Sequence, residues 1–281
     1  MEIYYTKKEL QLALEALKLN NKVITLVPTM GALHEGHLSL INFAKPKTDI
    51  TVCSIFVNPT QFNDPKDLEK YPRPIEKDIQ LLESVGCDML FLPSVEEMYP
   101  PNDEPWHIDL GELDRIWEGE HRPGHFQGVT QIVHKLFELV KPDYACFGQK
   151  DFQQVMVIQK MIQIKNLPIQ LLICPIIRNA NGLALSSRNA RLSDEGREIA
   201  LAIFKSLNAI KSNFKSKSIP NLLEEARTIL AQQPEITIEY LSICESSTLS
   251  PVTKLEEGKS YVAIITVWLE GVRLIDNIIL S

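Results

Sequence analysis

The segment Pro28-Thr-Met30-Gly31-Ala-Leu-His34-Glu-Gly36-His37 carries two imidazoles three residues apart. It follows an apolar run at residues 23–27 and leads into a helical pattern at 37–44, so the pair sits where a strand turns into a helix. Three residues is nearly one helical turn, which lets both rings face one side. A helix N-terminus offers N–H groups and a partial positive charge, a setting that suits phosphate. Gly36 leaves space for a flat or bulky ligand against the backbone. An ordinary polar loop and a metal pair are the competing readings, and no Glu or third His follows at metal spacing. A second stretch, Phe147-Gly148-Gln149-Lys150-Asp151-Phe-Gln-Gln154, brings a cation to another strand-to-helix turn; the plainer reading is a solvated helix start with Asp151 as its cap. A third, Leu185-Ser186-Ser187-Arg188-Asn189, puts two hydroxyls and a guanidinium in a row, a short clamp for phosphate oxygens. Alone it is a weak signal. A fourth, Phe56-Val-Asn58-Pro-Thr-Gln61-Phe62, sets two amides just past a second strand, either for a substrate hydroxyl or carboxylate or as turn residues around Pro59.

These residues need a frame. The spacing of Leu10, Leu14 and Leu17 predicts a helix over 7–19. Apolar runs predict strands at 23–27, 50–57, 89–92, 144–147 and 169–177, with helices at 37–44, 74–85, 129–140 and 152–165 between them. Strand–helix alternation with continuous apolar strands implies a parallel sheet covered on both faces. Ligands bind such a sheet outside the carboxyl ends of its strands, which would bring Lys150 and the two histidines together. Beyond the turn-rich Arg178-Asn-Ala-Asn-Gly182 the pattern changes. Helices are expected at 193–214 and 221–232, then strands at 236–244, 261–269 and 272–280, the last two joined by a hairpin at Glu270-Gly271. The expected class is therefore α/β with a second, smaller α+β domain, divided as 1–177 and 178–281.

Composition narrows the function. The chain has 281 residues, 44% hydrophobic and 23% charged, with a net charge of −7. A duplex-binding protein usually carries a basic surface, so nucleic acid is not the expected partner. No apolar run reaches the roughly 18–20 residues of a membrane span. Nothing at Met1-Glu-Ile-Tyr-Tyr-Thr resembles a secretory signal. Cysteines at 53, 87, 146, 174 and 244 are odd in number, form no C-x-x-C pair and lie mostly in apolar surroundings. They read as buried, reduced thiols. The expectation is a cytoplasmic protein.

Together the four stretches resemble the pantothenate synthetase (pantoate–β-alanine ligase) family, over most of residues 20–192. Supporting pieces are Tyr71-Pro72-Arg73, Arg122-Pro-Gly124-His125-Phe126-Gln-Gly128-Val129, Lys135-Leu-Phe, Val140-Lys-Pro142-Asp143 and Ile177-Arg178. Three positions depart from the family's habit: Gln149 stands where Glu is usual, Gln131 where Thr is usual, and His134 where a small or apolar residue is commoner. The resemblance implies a Rossmann-like nucleotidyltransferase domain with a C-terminal lid domain, assembled as a homodimer. It implies ATP, pantoate and β-alanine as partners, with Mg²⁺ as cofactor. Pantoate would attack the α-phosphorus of ATP to give pantoyl adenylate and diphosphate, and β-alanine would then release AMP. By this resemblance His37, His34, Lys150 and Arg188 are the catalytic set. The ATP-binding set is Met30, Gly31, Ala32, Leu33, His34, Glu35, Gly36, His37, Gly148, Gln149, Lys150, Asp151, Ile177, Leu185, Ser186, Ser187 and Arg188. Gln61 would hold pantoate and lie near β-alanine, Gln154 would hold pantoate, and Asn58 and Met30 would line the same place. Magnesium would ride chiefly on phosphates, with Asp78 as a candidate partner. The break at 178–182 reads as the hinge of a lid that keeps water from the reactive adenylate. Two rival readings are another nucleotidyltransferase of the H-x-G-H type with a different acceptor, and a nucleotide-binding module without turnover.

Overall fold

The structure, a computed structural model, describes residues 1–280; Ser281, the last position of the expected C-terminal domain, lies outside the described residues. The chain forms two compact units, one of Met1–Gln149 with Gln153–Pro175 and one of Lys150–Phe152 with Ile176–Ser281.

The first unit is built on six strands: β1 (Glu2–Tyr4), β2 (Ile24–Thr29), β3 (Ile50–Ile55), β4 (Met89–Phe91), β5 (Tyr144–Gly148) and β6 (Gln170–Cys174). Their order is β1-β4-β3-β2-β5-β6. Every pairing is parallel, as the continuous apolar strands require. From β2 the chain winds outward through β3 and β4, then returns to add β5 on the other side. The direction of winding therefore reverses between β2 and β5, the crevice where such sheets bind ligands. One core cluster joins Val27, Cys53, Ile55, Leu90, Cys146 and Leu172 of the strands to Leu40 and Ile41 of helix Glu35–Ala44. All five cysteines are free and buried among the apolar strands. Burial pushes the thiols of Cys146 and Cys244 up to about 12, and those of Cys53, Cys87 and Cys174 upward as well.

Boundaries shift in instructive places. The helix expected over 129–140 begins four residues earlier, at His125, and runs through Gly128 to Val140. Edge strand β1 and the short helices Pro65–Lys70, Val95–Met98 and Glu118–His121 are too brief to show a period in sequence.

The second unit packs helices Leu201–Asn213 and Ile219–Ala231 on an antiparallel sheet of β7 (Thr237–Glu245), β8 (Tyr261–Leu269) and β9 (Val272–Leu280). The hairpin turns at Glu270 (φ 51°) and Gly271 (φ 69°), two positive angles that match the twist of the strands they join. The long helix expected over 193–214 is two, Asp194–Ile199 and Leu201–Asn213, which break at Ala200. The expected hinge at 178–182 is a closed turn. Arg178 bridges to Ala184, and the Asn179 side chain accepts the N–H groups of Asn181 (3.1 Å) and Leu183 (2.9 Å). Among the described residues no helix is long and apolar enough to cross a membrane.

Candidate active site

At the end of β2 the chain must turn within a few residues. Gly31 (φ 79°) and Ala32 (φ 51°) make the turn. A Cβ on Gly31 would stand 2.9 Å from Ile55 Cγ2 and 3.0 Å from Asp78 Oδ2, in a left-handed conformation as well, so only glycine is comfortable there. Asp78, on helix Ile75–Ser84, is fully buried and fixes the turn from below. Its two oxygens accept the N–H groups of Ala32 and Leu33, each at 2.8 Å. Burial pushes this carboxyl above its ordinary value, and the two amide donors oppose the push.

The turn delivers His34 as the N-cap of helix Glu35–Ala44. His34 Nδ1 accepts the Gly36 N–H at 3.1 Å, and His37 Nδ1 accepts the His34 N–H at 3.4 Å. The ring centroids lie 4.1 Å apart. In each ring the Nδ1 lone pair is turned to backbone, which places the proton of the neutral ring on Nε2. With these caps in place the pair carries two adjacent Nε2–H donors.

Past β3, the turn Pro59–Gln61 brings the expected amides together. Asn58 and Gln61 are 1% and 8% exposed. Asn58 Nδ2 donates to Gln61 Oε1 at 3.0 Å, and Gln61 Nε2 faces Met30 Sδ at 3.1 Å, so Met30 links the amides to the histidine loop. The Gln61 carbonyl lies 2.9 Å from Nδ1 of buried His125. Gly148 ends β5 with its Cα hydrogen toward Leu40 of the histidine helix. Gln154 is part-buried on helix Phe152–Ile164, while its neighbour Gln153 is spent on structure, accepting from Glu118 N–H and donating to Leu113 and Ile116 carbonyls.

In the second unit the Lys150 carbonyl accepts from Asn277 Nδ2 at 2.9 Å. The Ile177 carbonyl accepts the Leu185 N–H at 2.9 Å, and Ser186 Oγ caps the turn Ser187–Arg191 by accepting the Arg188 N–H at 3.2 Å. Arg178 anchors this region with a two-bond grip on buried Asp276, at 2.6 and 2.8 Å, and stacks 4.2 Å from the centroid of Phe204. Ser186 and Arg188 are thus neighbours in a capped turn, with Asp151 in the turn Gln149–Asp151 that also carries Lys150.

Asp78 and His125 support these groups, as do Tyr99, whose hydroxyl donates to Asn58 Oδ1 at 2.7 Å, and Gly128, whose carbonyl accepts from Asn58 Nδ2 at 3.0 Å; the sequence reading gave none of them a positioning role. Among the described residues no three His, Cys, Asp or Glu side chains gather as a metal cage. Asp78 spends both oxygens on backbone. That donor set fits a magnesium ion carried on nucleotide phosphates, which keeps several waters and asks little of the protein. His134, one of the unusual positions, packs against Trp106 with ring centroids 4.8 Å apart and tilted by 39°, and burial pushes its pKa below the ordinary value.

Comparison with known proteins adds to this geometry. A family model described as pantoate-beta-alanine ligase matches residues 2–279. A pantothenate synthetase of Cytophaga hutchinsonii is 46% identical over 277 residues, covering 97% of each chain. One from Phocaeicola vulgatus is 48% identical over 279 residues, covering 99% of each. The crystal structure of pantothenate synthetase from Thermus thermophilus superposes with a TM-score of 0.93 at 39% identity, covering 99% of each chain. That of pantoate-beta-alanine ligase from Francisella tularensis, complexed with beta-gamma ATP and beta-alanine, gives 0.82 at 35% identity, covering 99% of this chain and 97% of that one.

Proposed function

We propose a course of reaction from the premise that the chain belongs to the pantoate-beta-alanine ligase family. It is an ATP-dependent enzyme that joins pantoate to β-alanine to make pantothenate. The proposed course has two steps. A pantoate carboxylate oxygen attacks the α-phosphorus of ATP; the new P–O bond forms as the bond to the bridging oxygen breaks, and diphosphate leaves with the electron pair. The β-alanine amine then attacks the acyl carbon; the C–N bond forms, the acyl–O bond breaks, AMP leaves, and the amine proton is lost.

One observation carries this reading: the paired histidines at the helix start, both with Nδ1 held by backbone and Nε2–H as the donor. Such donors suit charge growing on phosphate oxygens as diphosphate departs. Lys150 and Arg188 supply positive charge for an anion attacking a polyanion. Gly31, Ala32, Leu33, Glu35, Gly36, Gly148, Gln149, Asp151, Ile177, Leu185, Ser186 and Ser187 complete the nucleotide contacts. Gln61 and Gln154 hold pantoate, beside Met30. When bound, Mg²⁺ supplies charge neutralisation on the phosphates. We further assign the enzyme to the cytoplasm and to a homodimer, the latter open to sedimentation analysis.

The test uses pantoate labelled with ¹⁸O in its carboxylate, together with diphosphate exchange into ATP. Label recovered in AMP, and exchange that requires pantoate, support the adenylate. Exchange without pantoate, or AMP free of label, would refute it.

A further inference from the structure

We propose that Asn58 and Tyr99 are positioning residues for pantoate: together they hold the Gln61 amide so that its N–H edge, and not its C=O edge, faces the substrate. The inference rests on the reading of Gln61 as a pantoate contact.

A glutamine amide has two nearly isosteric orientations, one offering a donor and one an acceptor. A substrate carboxylate or hydroxyl oxygen is bound well by the first and repelled by the second. Something must choose between them. The choice starts at Gly128, whose backbone carbonyl can only accept. It takes one N–H of Asn58 Nδ2 at 3.0 Å, which fixes which end of the Asn58 amide points that way. The other Nδ2 hydrogen then meets Gln61, so Gln61 must present Oε1 there, at 3.0 Å. Gln61 Nε2 is left toward Met30 Sδ, and a thioether is a weak acceptor. A pantoate oxygen is a better partner for that donor.

Tyr99 secures the other end of Asn58. Its hydroxyl donates to Asn58 Oδ1 at 2.7 Å, and Thr60 Oγ1 donates to the same oxygen at 3.1 Å. Asn58 thereby uses two donors and two acceptor sites within the protein. At 1% exposure it has nothing left for substrate, which moves its role from the expected contact to the support of one. Burial pushes the Tyr99 phenol up to about 12, so it stays a donor across the working range of pH. Its ring is steadied by Lys135, whose Nζ lies 5.3 Å from the centroid while pairing with Asp103, and by Phe56 at 6.1 Å.

The experiment is calorimetric titration of pantoate, in the presence of a non-reactive ATP analogue, on the parent, Tyr99→Phe, Gln61→Ala and the double variant. Tyr99→Phe keeps the ring and its packing and deletes one hydroxyl. It should raise the pantoate Kd about fivefold, the worth of one hydrogen bond, and leave the Kd of the ATP analogue unchanged. The double variant should bind pantoate no worse than Gln61→Ala alone, since the hydroxyl acts only through that amide. Additive losses in the double variant, or unchanged pantoate binding in Tyr99→Phe, would overturn the inference. Unchanged pantoate binding in Gln61→Ala would overturn the underlying reading and the inference with it. Thr60→Val removes the second donor to Asn58 and carries the same cycle if Tyr99→Phe fails to fold.

Discussion

Replacing Gly128 by alanine sets two effects against each other. In an exposed helix interior the change stabilises by roughly 1 kcal/mol through helix propensity alone. Gly128 lies inside helix His125–Val140 and is buried, and a Cβ there would collide with the Thr60 carbonyl and stand 2.7 Å from the Gln61 amide nitrogen. These are backbone atoms that no rotamer change can move aside. Overpacking of this kind costs about 1–3 kcal/mol. Withdrawal of the helix also stretches the Asn58–Gly128 bond, and a buried donor left without a partner costs about 1–3 kcal/mol more. The sum outweighs the propensity gain, leaving a net loss of about 1–5 kcal/mol. For a unit of this size the melting midpoint should fall by roughly 2–20 °C, read by scanning calorimetry. Displacement of Gln61 by about 1 Å should lower pantoate-dependent diphosphate exchange by about 10²-fold. An unchanged or raised midpoint would show that the helix–turn contact has slack, and the account of why glycine stands there would be wrong.

His37→Ala should lower pantoate-dependent diphosphate exchange by about 10²-fold, while supplied pantoyl adenylate still reacts with β-alanine at a near-parental rate in single-turnover kinetics; an equal loss in both halves would remove His37 from the phosphate side. Asp78→Ala strips the acceptor from two amides and should lower kcat/KM for ATP by at least about tenfold. Because burial raises the Asp78 pKa, the stability tied to it is full below an unfolded value near ~4 and is lost as pH rises through the folded one. The stability gap between parent and Asp78→Ala, measured by urea titration at several pH values, should therefore narrow as pH rises; a widening gap would contradict the burial argument. Arg178→Lys keeps the charge but loses the two-bond grip on Asp276 and the Phe204 stack, and should cost about 1–3 kcal/mol in thermal unfolding. Gln149→Glu should leave steady-state activity within a few-fold of the parent, since Gln149 precedes Lys150 and lies at the start of its turn.

Periodicity and chain punctuation made the frame legible. Apolar runs as long as those of β2, β3 and β5 have few alternatives to a parallel sheet, and the strand-to-helix turns after them mark the crevice. What escaped reading depends on distances that no local pattern encodes. Gly128 reads as lying just ahead of the helix expected over 129–140, but it is inside that helix, with the Thr60 carbonyl against it. Asp78 reads in sequence only as a candidate magnesium partner, yet it is buried with both oxygens accepting amides of a distant turn. Tyr99 sits in a short irregular stretch with no period at all. Ala200 breaks a helix where the sequence offers neither glycine nor proline, so tertiary packing overrides a local preference there. At 178–182 asparagines and glycine suggest looseness, and the Asn179 side chain nonetheless holds two N–H groups of the turn, a contact no local pattern announces.

The five buried sulfur atoms have a practical side. Burial pushes the Cys146 and Cys244 thiols up to about 12 and raises the other three, and none of the five lies at the surface, so little thiolate is presented at neutral pH. The native chain is therefore almost silent to maleimides and iodoacetamides. A single cysteine engineered onto an exposed loop becomes the one reactive handle, so a fluorophore or spin label can be attached without first deleting native residues and disturbing the core that aligns the strand ends. Slow native labelling under mild urea then becomes a clock for opening of the sheet itself.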